Sequence, residues 1–152
     1  MKFLLAIALA FPFLVGCASI PLADSEINIQ AKQFPKNPNG AYVYIYRNEF
    51  MGAAVTMDVL LDNELLGATR SKNFLWVDVP AGDHTITSKA ENDDVIQLHV
   101  ETGRNYYVWQ EVKMGILYAR TKLHVVTEST GQEGVNECTL IAHQQPNHHA
   151  MR

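Results

Sequence analysis

The sequence predicts an all-β domain, an antiparallel β-sandwich of seven to eight strands, and three observations predict it. Apolar and polar residues alternate with a period of two in seven or eight short segments. Turn-forming residues separate these segments at nearly regular intervals. Helical periodicity is almost absent over the same stretch, which favours a sandwich. A small closed barrel is the alternative architecture.

The first strand carries three tyrosines on one face, Tyr42, Tyr44 and Tyr46, and the β-branched Val43 and Ile45 on the other. A sandwich buries one face of each strand, so a core filled by Val43 and Ile45 leaves the tyrosines outside. They would then lie beneath the N-terminal segment or against cross-strand neighbours. Aromatic rows on a sheet surface stack on sugar rings or anchor a protein partner. The tyrosines are therefore the candidate binding residues.

Turn chemistry separates the strands that follow. Asp62-Asn63 predicts a two-residue hairpin turn, because both residues tolerate left-handed backbone. Gly67 predicts a bulge or a close backbone contact. Pro80-Ala81-Gly82-Asp83 predicts a turn in which Pro presets φ and Gly accepts positive φ. The predicted strands are residues 41–47, 55–61, 64–69, 74–79, 84–90, 95–101, 105–112 and 119–127.

The C-terminal part is less regular. Residues 128–134 predict a polar loop, and residues 135–142 predict a short helix or a final edge strand, with the helix favoured for its start. Residues 143–152 are polar without a core-forming pattern, and we expect a flexible tail.

The N-terminus has the layout of an export signal. Lys2 precedes an apolar run that is too short to span a bilayer. The run ends in Leu14-Val15-Gly16-Cys17, which resembles the lipobox of bacterial lipoproteins. The resemblance implies cleavage before Cys17, a diacylglyceryl group on its sulfur and an acylated new N-terminus. Two or three acyl chains give durable membrane attachment. The alternative is a plain cleaved signal peptide that ends near a cysteine.

Four regions follow from this interpretation: a signal peptide at 1–16, a lipidated N-terminus and tether at 17–40, the β-sandwich at 41–142 and the tail at 143–152. The proline-rich tether could extend ~75 Å, while apolar residues in its middle would dock on the domain edge. The residue directly after the cysteine is Ala18 and not Asp. In the lipoprotein sorting that the resemblance implies, this directs the protein to the outer membrane, with its domain in the periplasm.

Charge and cysteine content narrow the function classes. The formal net charge of the 152 residues is −4. Loss of Lys2 with the signal makes the processed chain slightly more acidic, which argues against a nucleic-acid partner and against electrostatic docking on anionic lipid. If Cys17 is lipidated, Cys138 is alone and no intrachain disulfide can form. The hydrophobic core must then stabilise the fold without a disulfide.

The middle of the chain carries a family resemblance. Its scheme of strand, Asp turn, strand, Gly, strand, Pro-x-Gly turn and strand spans residues 59–86 and resembles PEGA-type surface modules. It is closer to a family of uncharacterised bacterial envelope lipoproteins with a conserved domain of unknown function. That likeness runs from about residue 41 to residue 140 and includes the tyrosine strand and the Cys-Thr-Leu ending. It implies an immunoglobulin-like or transthyretin-like fold and brings no catalytic residues.

Other candidate residues have weaker patterns. His143, His148 and His149 could form a loose site for Zn²⁺ or Cu²⁺, but a tail offers no fixed geometry, and we favour a solvated tail. Cys138 lacks a local base and oxyanion donor, which favours a buried structural cysteine over a nucleophile. The acidic residues 91–94 lack the glycine and distal glutamate of a Ca²⁺ loop and predict a solvated turn.

Three further histidines, His84, His99 and His124, lie far apart in sequence and could meet Asp78 or Asp83 only through the fold. We expect His84 to bond the backbone of its turn instead.

The sequence therefore favours a non-catalytic, membrane-anchored envelope lipoprotein that acts as a binding or accessory module. We expect no cofactor, no metal and no nucleic acid. The expected partners are membrane lipid through Cys17 and an envelope protein or glycan. A hydrolase of cell-wall or surface polymers is the alternative, and it would need two carboxylates, or Cys138 and a histidine, in one cleft.

Overall fold

The computed structural model describes residues 20–142, which form a sandwich of two β-sheets with two short helices. The predicted all-β sandwich is confirmed. The predicted signal peptide, Cys17 and the predicted tail at 143–152 lie outside the described residues. The elements are α1 Ser25–Ala31, β1 Ala41–Arg47, β2 Met57–Leu61, β3 Glu64–Thr69, β4 Asn73–Val79, β5 Gly82–Lys89, β6 Asp93–Val100, β7 Asn105–Met114, β8 Ala119–Val126, α2 Glu128–Asn136 and β9 Thr139–Leu140.

One sheet has five strands in the order β8-β7-β1-β4-β9, and the other has four in the order β3-β2-β5-β6. Two pairs are parallel: Tyr44 of β1 lies opposite Tyr107 of β7, and Phe74 of β4 lies opposite Leu140 of β9. These two pairs depart from the predicted antiparallel arrangement, which the other strand pairs follow. The chain visits the second sheet between β4 and β7, so β7 returns beside β1 in the same direction.

The predicted turn chemistry is present in the β2–β3 hairpin. Asp62 and Asn63 adopt φ of 50° and 69°, as a two-residue hairpin with left-handed central residues requires. The register shifts inside the hairpin, where Val59 opposes Gly67 and Leu60 opposes Leu65. This shift is the bulge that Gly67 predicted.

The core between the sheets is aliphatic. Val43 and Ile45 of β1 are fully buried there and meet residues of the four-stranded sheet such as Val59 and Ile86. The alternation of these two residues with the tyrosines along β1 predicted that they face the core between the sheets. Their burial there confirms this prediction.

A second apolar layer covers the outer face of the five-stranded sheet, under α1 and α2. Helix α2 begins at Glu128, so the polar loop predicted for 128–134 is wrong and the helix lies earlier than expected. Thr127 caps it by accepting the Thr130 N–H. A Cβ at Gly131 would lie 2.2 Å from the Tyr107 ring, and one at Gly134 would lie 2.1 Å from the Tyr46 ring. The absence of a side chain at these two positions thus allows α2 to pack closely against the sheet.

From residue 20 onward the N-terminal segment is folded onto the domain and does not extend away from it. Leu22 forms an antiparallel bridge with Ile141, and the Ala23 N–H donates to the Leu140 carbonyl at 3.0 Å. The two-residue strand β9 leaves backbone groups on its outer side, and this segment satisfies them.

Candidate functional site

The three predicted binding tyrosines are not equivalent. Tyr44 is fully buried, and its hydroxyl donates to the Ala31 carbonyl of α1 at 3.0 Å. Tyr46 is 3% exposed under α2, and burial raises its pKa to about 12. The row lies on the outer face of the sheet, as expected, but helices cover Tyr44 and Tyr46 there, so these two residues are not accessible to a ligand. Only Tyr42 is half-buried and reaches solvent.

Tyr42 lies in a groove on the outer face of the five-stranded sheet. The groove has a volume of about 520 Å³. Tyr42 and Trp76 form its floor, with ring centroids 4.9 Å apart. Leu22 and Ile27 of the N-terminal segment form one wall, and both are exposed. The segment expected to be a tether thus completes the site.

Two carboxylates, Asp24 and Asp78, also line the groove. The Asn37 side-chain amide donates to Asp78 at 2.5 Å and fixes its orientation. Burial, and secondarily the charge of Asp78, raises the pKa of Tyr42, so its hydroxyl stays protonated as a donor. The buried indole N–H of Trp76 has no hydrogen-bond partner among the described residues. The groove therefore combines aromatic faces with a fixed carboxylate.

Cys138 lies away from this groove, in the outer apolar layer. It is 2% exposed, and its Sγ lies 3.5 Å from the Arg47 carbonyl oxygen. Burial raises the pKa of the thiol to about 12. The side chain is thus a protonated structural thiol in this conformation, as the sequence favoured.

The three histidines within the described residues do not converge. His84 contacts Asp62 at 2.7 Å and the Pro80 carbonyl at 2.9 Å, which confirms its expected bond to turn backbone. His99 meets Asp83 at 2.6 Å on the exposed surface. His124 stacks on an indole of β7, on another part of the sheet. The tail histidines His143, His148 and His149 lie outside the described residues.

The acidic residues 91–94 have structural partners, so the expected solvated turn is wrong for most of them. Glu91 accepts three backbone N–H groups of the β7–β8 loop, and Asp94 accepts the Leu123 N–H. Asp93 remains at the surface, 3.5 Å from Lys89. Between residues 20 and 142, no three of the His, Cys, Asp and Glu side chains are grouped to hold a metal ion.

Comparison with known proteins places this fold in a family. The family described as "Protein of unknown function (DUF2846)" matches residues 37–122, more than half of the chain. An uncharacterised protein of Haemophilus influenzae is 31% identical over 131 residues, which cover 84% of this chain and 77% of that protein. The chain belongs to the DUF2846 family.

The DUF2846 match starts at Asn37 and so covers the groove's floor, Tyr42, Trp76 and Asp78, together with the amide that orients Asp78. It leaves out the wall that contains Leu22 and Ile27. No solved structure matches the chain. Within residues 20–142, neither helix combines the length and the apolar character needed to cross a bilayer.

Sequence reasoning found Tyr42 but missed its partners. Trp76 lies opposite Tyr44 in the β1–β4 ladder, so the alternation that places Tyr42 on the outer face places Trp76 there too. That register could have suggested the aromatic pair. The wall formed by Leu22 and Ile27 had no local signal, because it depends on a bridge to residue 141 far along the chain.

Proposed function

We propose that this protein is a lipid-anchored envelope lipoprotein that binds a glycan in the groove floored by Tyr42 and Trp76. The export signal and the Leu14-Val15-Gly16-Cys17 lipobox support the anchor and the envelope location, as does the resemblance to envelope lipoproteins and PEGA-type modules. The processed chain would stand on the periplasmic side of the outer membrane.

The observation that carries the binding role is the pairing of Tyr42 and Trp76 beside Asp78. Aromatic rings pack against the C–H faces of sugar rings, while a carboxylate accepts hydrogen bonds from sugar hydroxyls. An aromatic floor with a few oriented polar groups is the usual make-up of a ligand site.

Two experiments test the two parts of the proposal separately. Mass spectrometry of the protein purified from membranes should find acyl groups on Cys17, and an unmodified Cys17 would reject the anchor. For the groove, soluble N-acetylglucosamine oligomers and fragments of surface polysaccharide should change tryptophan fluorescence saturably. Trp76→Phe should abolish the change, whereas Trp109→Phe should keep it because Trp109 does not line the groove. Absence of binding across these glycans would reject the glycan role.

A hydrolase acting on the same polymers is the second candidate, and one observation favours it. Asp24 and Asp78 line a single groove, and glycoside hydrolysis uses two carboxylates that flank the bond to be cleaved. Incubation with the glycans above should then release new reducing ends, and Asp78→Asn should stop the release. Binding without release would leave the binding module as the function.

A further inference from the structure

The β7–β8 loop displays four large apolar side chains at one end of the sandwich. Met114 is 86% exposed, Ile116 88%, Leu117 84% and Tyr118 54%, and these four are called the apolar tip. Single exposed apolar residues are ordinary on protein surfaces, but a contiguous group marks an interaction site. The groove at Tyr42 does not include any of them.

The apolar tip is held in a fixed shape. The Glu91 carboxylate accepts the backbone N–H groups of Ile116, Leu117 and Tyr118 at 3.0, 2.9 and 3.2 Å. These hydrogen bonds lower the pKa of Glu91 below its ordinary 4.5, so it is ionised at neutral pH. A Cβ at Gly115 would lie 2.4 Å from the Glu91 carboxylate, so a larger residue there would displace this side chain from its three hydrogen bonds. The loop is thus already ordered in the free protein, so little conformational entropy is lost when a partner binds.

We propose that the apolar tip inserts into the interfacial region of a lipid bilayer. Backbone groups that enter a membrane must be satisfied internally, and Glu91 already satisfies three N–H groups at this turn. The tip is a single convex loop, while a stable protein interface buries about 800 Å² on each partner. A bilayer accepts a protruding apolar group without a complementary surface.

The charges around the tip agree with a lipid surface. Lys113 and Arg120 lie opposite each other in the β7–β8 ladder, directly behind the tip, and both are exposed. Lys113 also pairs with Glu111 at 3.2 Å, and the charge of Arg120 contributes to the lowered pKa of Glu91, so each cation has an acidic neighbour in the protein. Both side chains are exposed and can also contact an anionic head group. Such contacts contribute to membrane binding close to the surface. The acidity of the whole chain does not prevent this, because both cations are exposed directly behind the tip.

This contact is separate from the anchor proposed at Cys17. The tip lies on the β7–β8 margin of its sheet, whereas Leu22 lies at the β9 margin. From strand spacing and rise, the two are about 30 Å apart.

Vesicle flotation tests the proposal with residues 17–152 carrying Cys17→Ser, so that no acyl group can contribute. We expect this protein to float with phosphatidylcholine vesicles that contain a minority of phosphatidylglycerol. Ile116→Ser with Leu117→Ser should lower the bound fraction at least about tenfold. The control is Val95→Ser with Val125→Ser, two aliphatic residues exposed by 54% and 53% elsewhere, and it should bind like the parent.

Circular dichroism of each variant separates loss of binding from loss of fold. The variant Arg120→Gln gives a second measurement, because it leaves the apolar tip intact. Arg120→Gln should weaken binding to the anionic vesicles and leave weak binding to neutral ones unchanged. Failure of the parent protein to float would overturn the proposal. So would an equal loss in the control pair, or sedimentation showing that the tip residues mediate self-association without vesicle binding.

Discussion

The carboxylate of Asp94 accepts a hydrogen bond from the backbone N–H of Leu123 at 2.8 Å and thereby joins β6 of one sheet to β8 of the other. The neighbouring Asn92 acts in the same way, because its amide both donates to and accepts from the backbone of Thr121. Edge strands with free backbone groups invite pairing with other chains. Here side chains occupy backbone groups of Thr121 and Leu123, so this part of the β8 edge is closed.

Asp94→Ala should therefore destabilise the domain and expose an edge. Removal of the acceptor leaves the Leu123 N–H without its partner, and we expect a loss of about 1–3 kcal/mol in the free energy of unfolding. Urea titration measures this loss. Asp93→Ala is the control, since Asp93 faces only Lys89 at 3.5 Å in solvent, and it should change stability by less than about 0.5 kcal/mol. Equal losses would contradict the bridging role of Asp94.

The eight long strands could be predicted from the sequence because their signals are local. Period-two alternation and the Asp62-Asn63 turn both act within a few residues, and each appears where it was expected. The parallel pairing of β1 with β7 could not be predicted in this way. It joins Tyr44 to Tyr107, which lie far apart in the chain, and no residue pattern in either strand encodes direction.

The outer layer of the five-stranded sheet escaped prediction for a related reason. Helix α2 contains Gly131 and Gly134, which lower helix propensity and suggest a loop when read locally. Their role is visible only once Tyr107 and Tyr46 lie beneath them. The same cover buries Tyr44 and Tyr46, and so leaves Tyr42 as the candidate site residue of the row.

Substitution of the α2 glycines tests that close approach. Gly131→Ala and Gly134→Ala would each place a methyl group within 2.2 Å of a tyrosine ring, so the helix must move away. Although alanine favours helix, we expect each variant to lose about 1–3 kcal/mol in the free energy of unfolding, as overpacked sites do. Urea titration followed by tyrosine fluorescence checks it.

Ser129→Ala is the matched control, because Ser129 lies in the same helix with its side chain exposed. Its stability should stay within about 0.5 kcal/mol of the parent protein. A glycine variant as stable as Ser129→Ala would mean that α2 does not pack on the sheet as described.

His84 makes stability depend on pH with a defined sign. Burial alone would lower its pKa, but hydrogen bonds to Asp62 and the Pro80 carbonyl outweigh burial and raise it above 6.5. Both ring nitrogens face acceptors, so the imidazolium form satisfies them best. A raised folded-state pKa gives stabilisation that is complete below the unfolded value of about 6.5 and is lost as pH rises through the folded value.

The free energy of unfolding, measured by urea titration at a series of pH values above and below 6.5, should therefore contain a His84 contribution that declines with rising pH. His84→Gln should remove that slope. His99→Gln should retain it, since the pair of His99 with Asp83 is solvent-exposed. An unchanged slope in His84→Gln would show that the two turn contacts do not favour the charged ring.

Cys138 should be chemically inert while the domain is folded. The thiolate is the reactive form, and burial raises the pKa of this thiol from 9.0 to about 12, so almost none is ionised at pH 8. A 2% exposure also keeps reagents away. In the processed chain with Cys17→Ser, a thiol reagent should therefore label Cys138 only as fast as the protein opens.

Labelling rates with and without urea decide between a structural and a reactive thiol. Urea should accelerate labelling by several orders of magnitude, because the unfolded thiol regains its ordinary pKa and full access. Cys138→Ala should remove all labelling and lower stability, since the Sγ fills space under α2 and contacts the Arg47 carbonyl. Rapid labelling in the absence of urea would instead indicate an accessible thiolate and would revive Cys138 as a nucleophile, which the geometry described for residues 20–142 opposes.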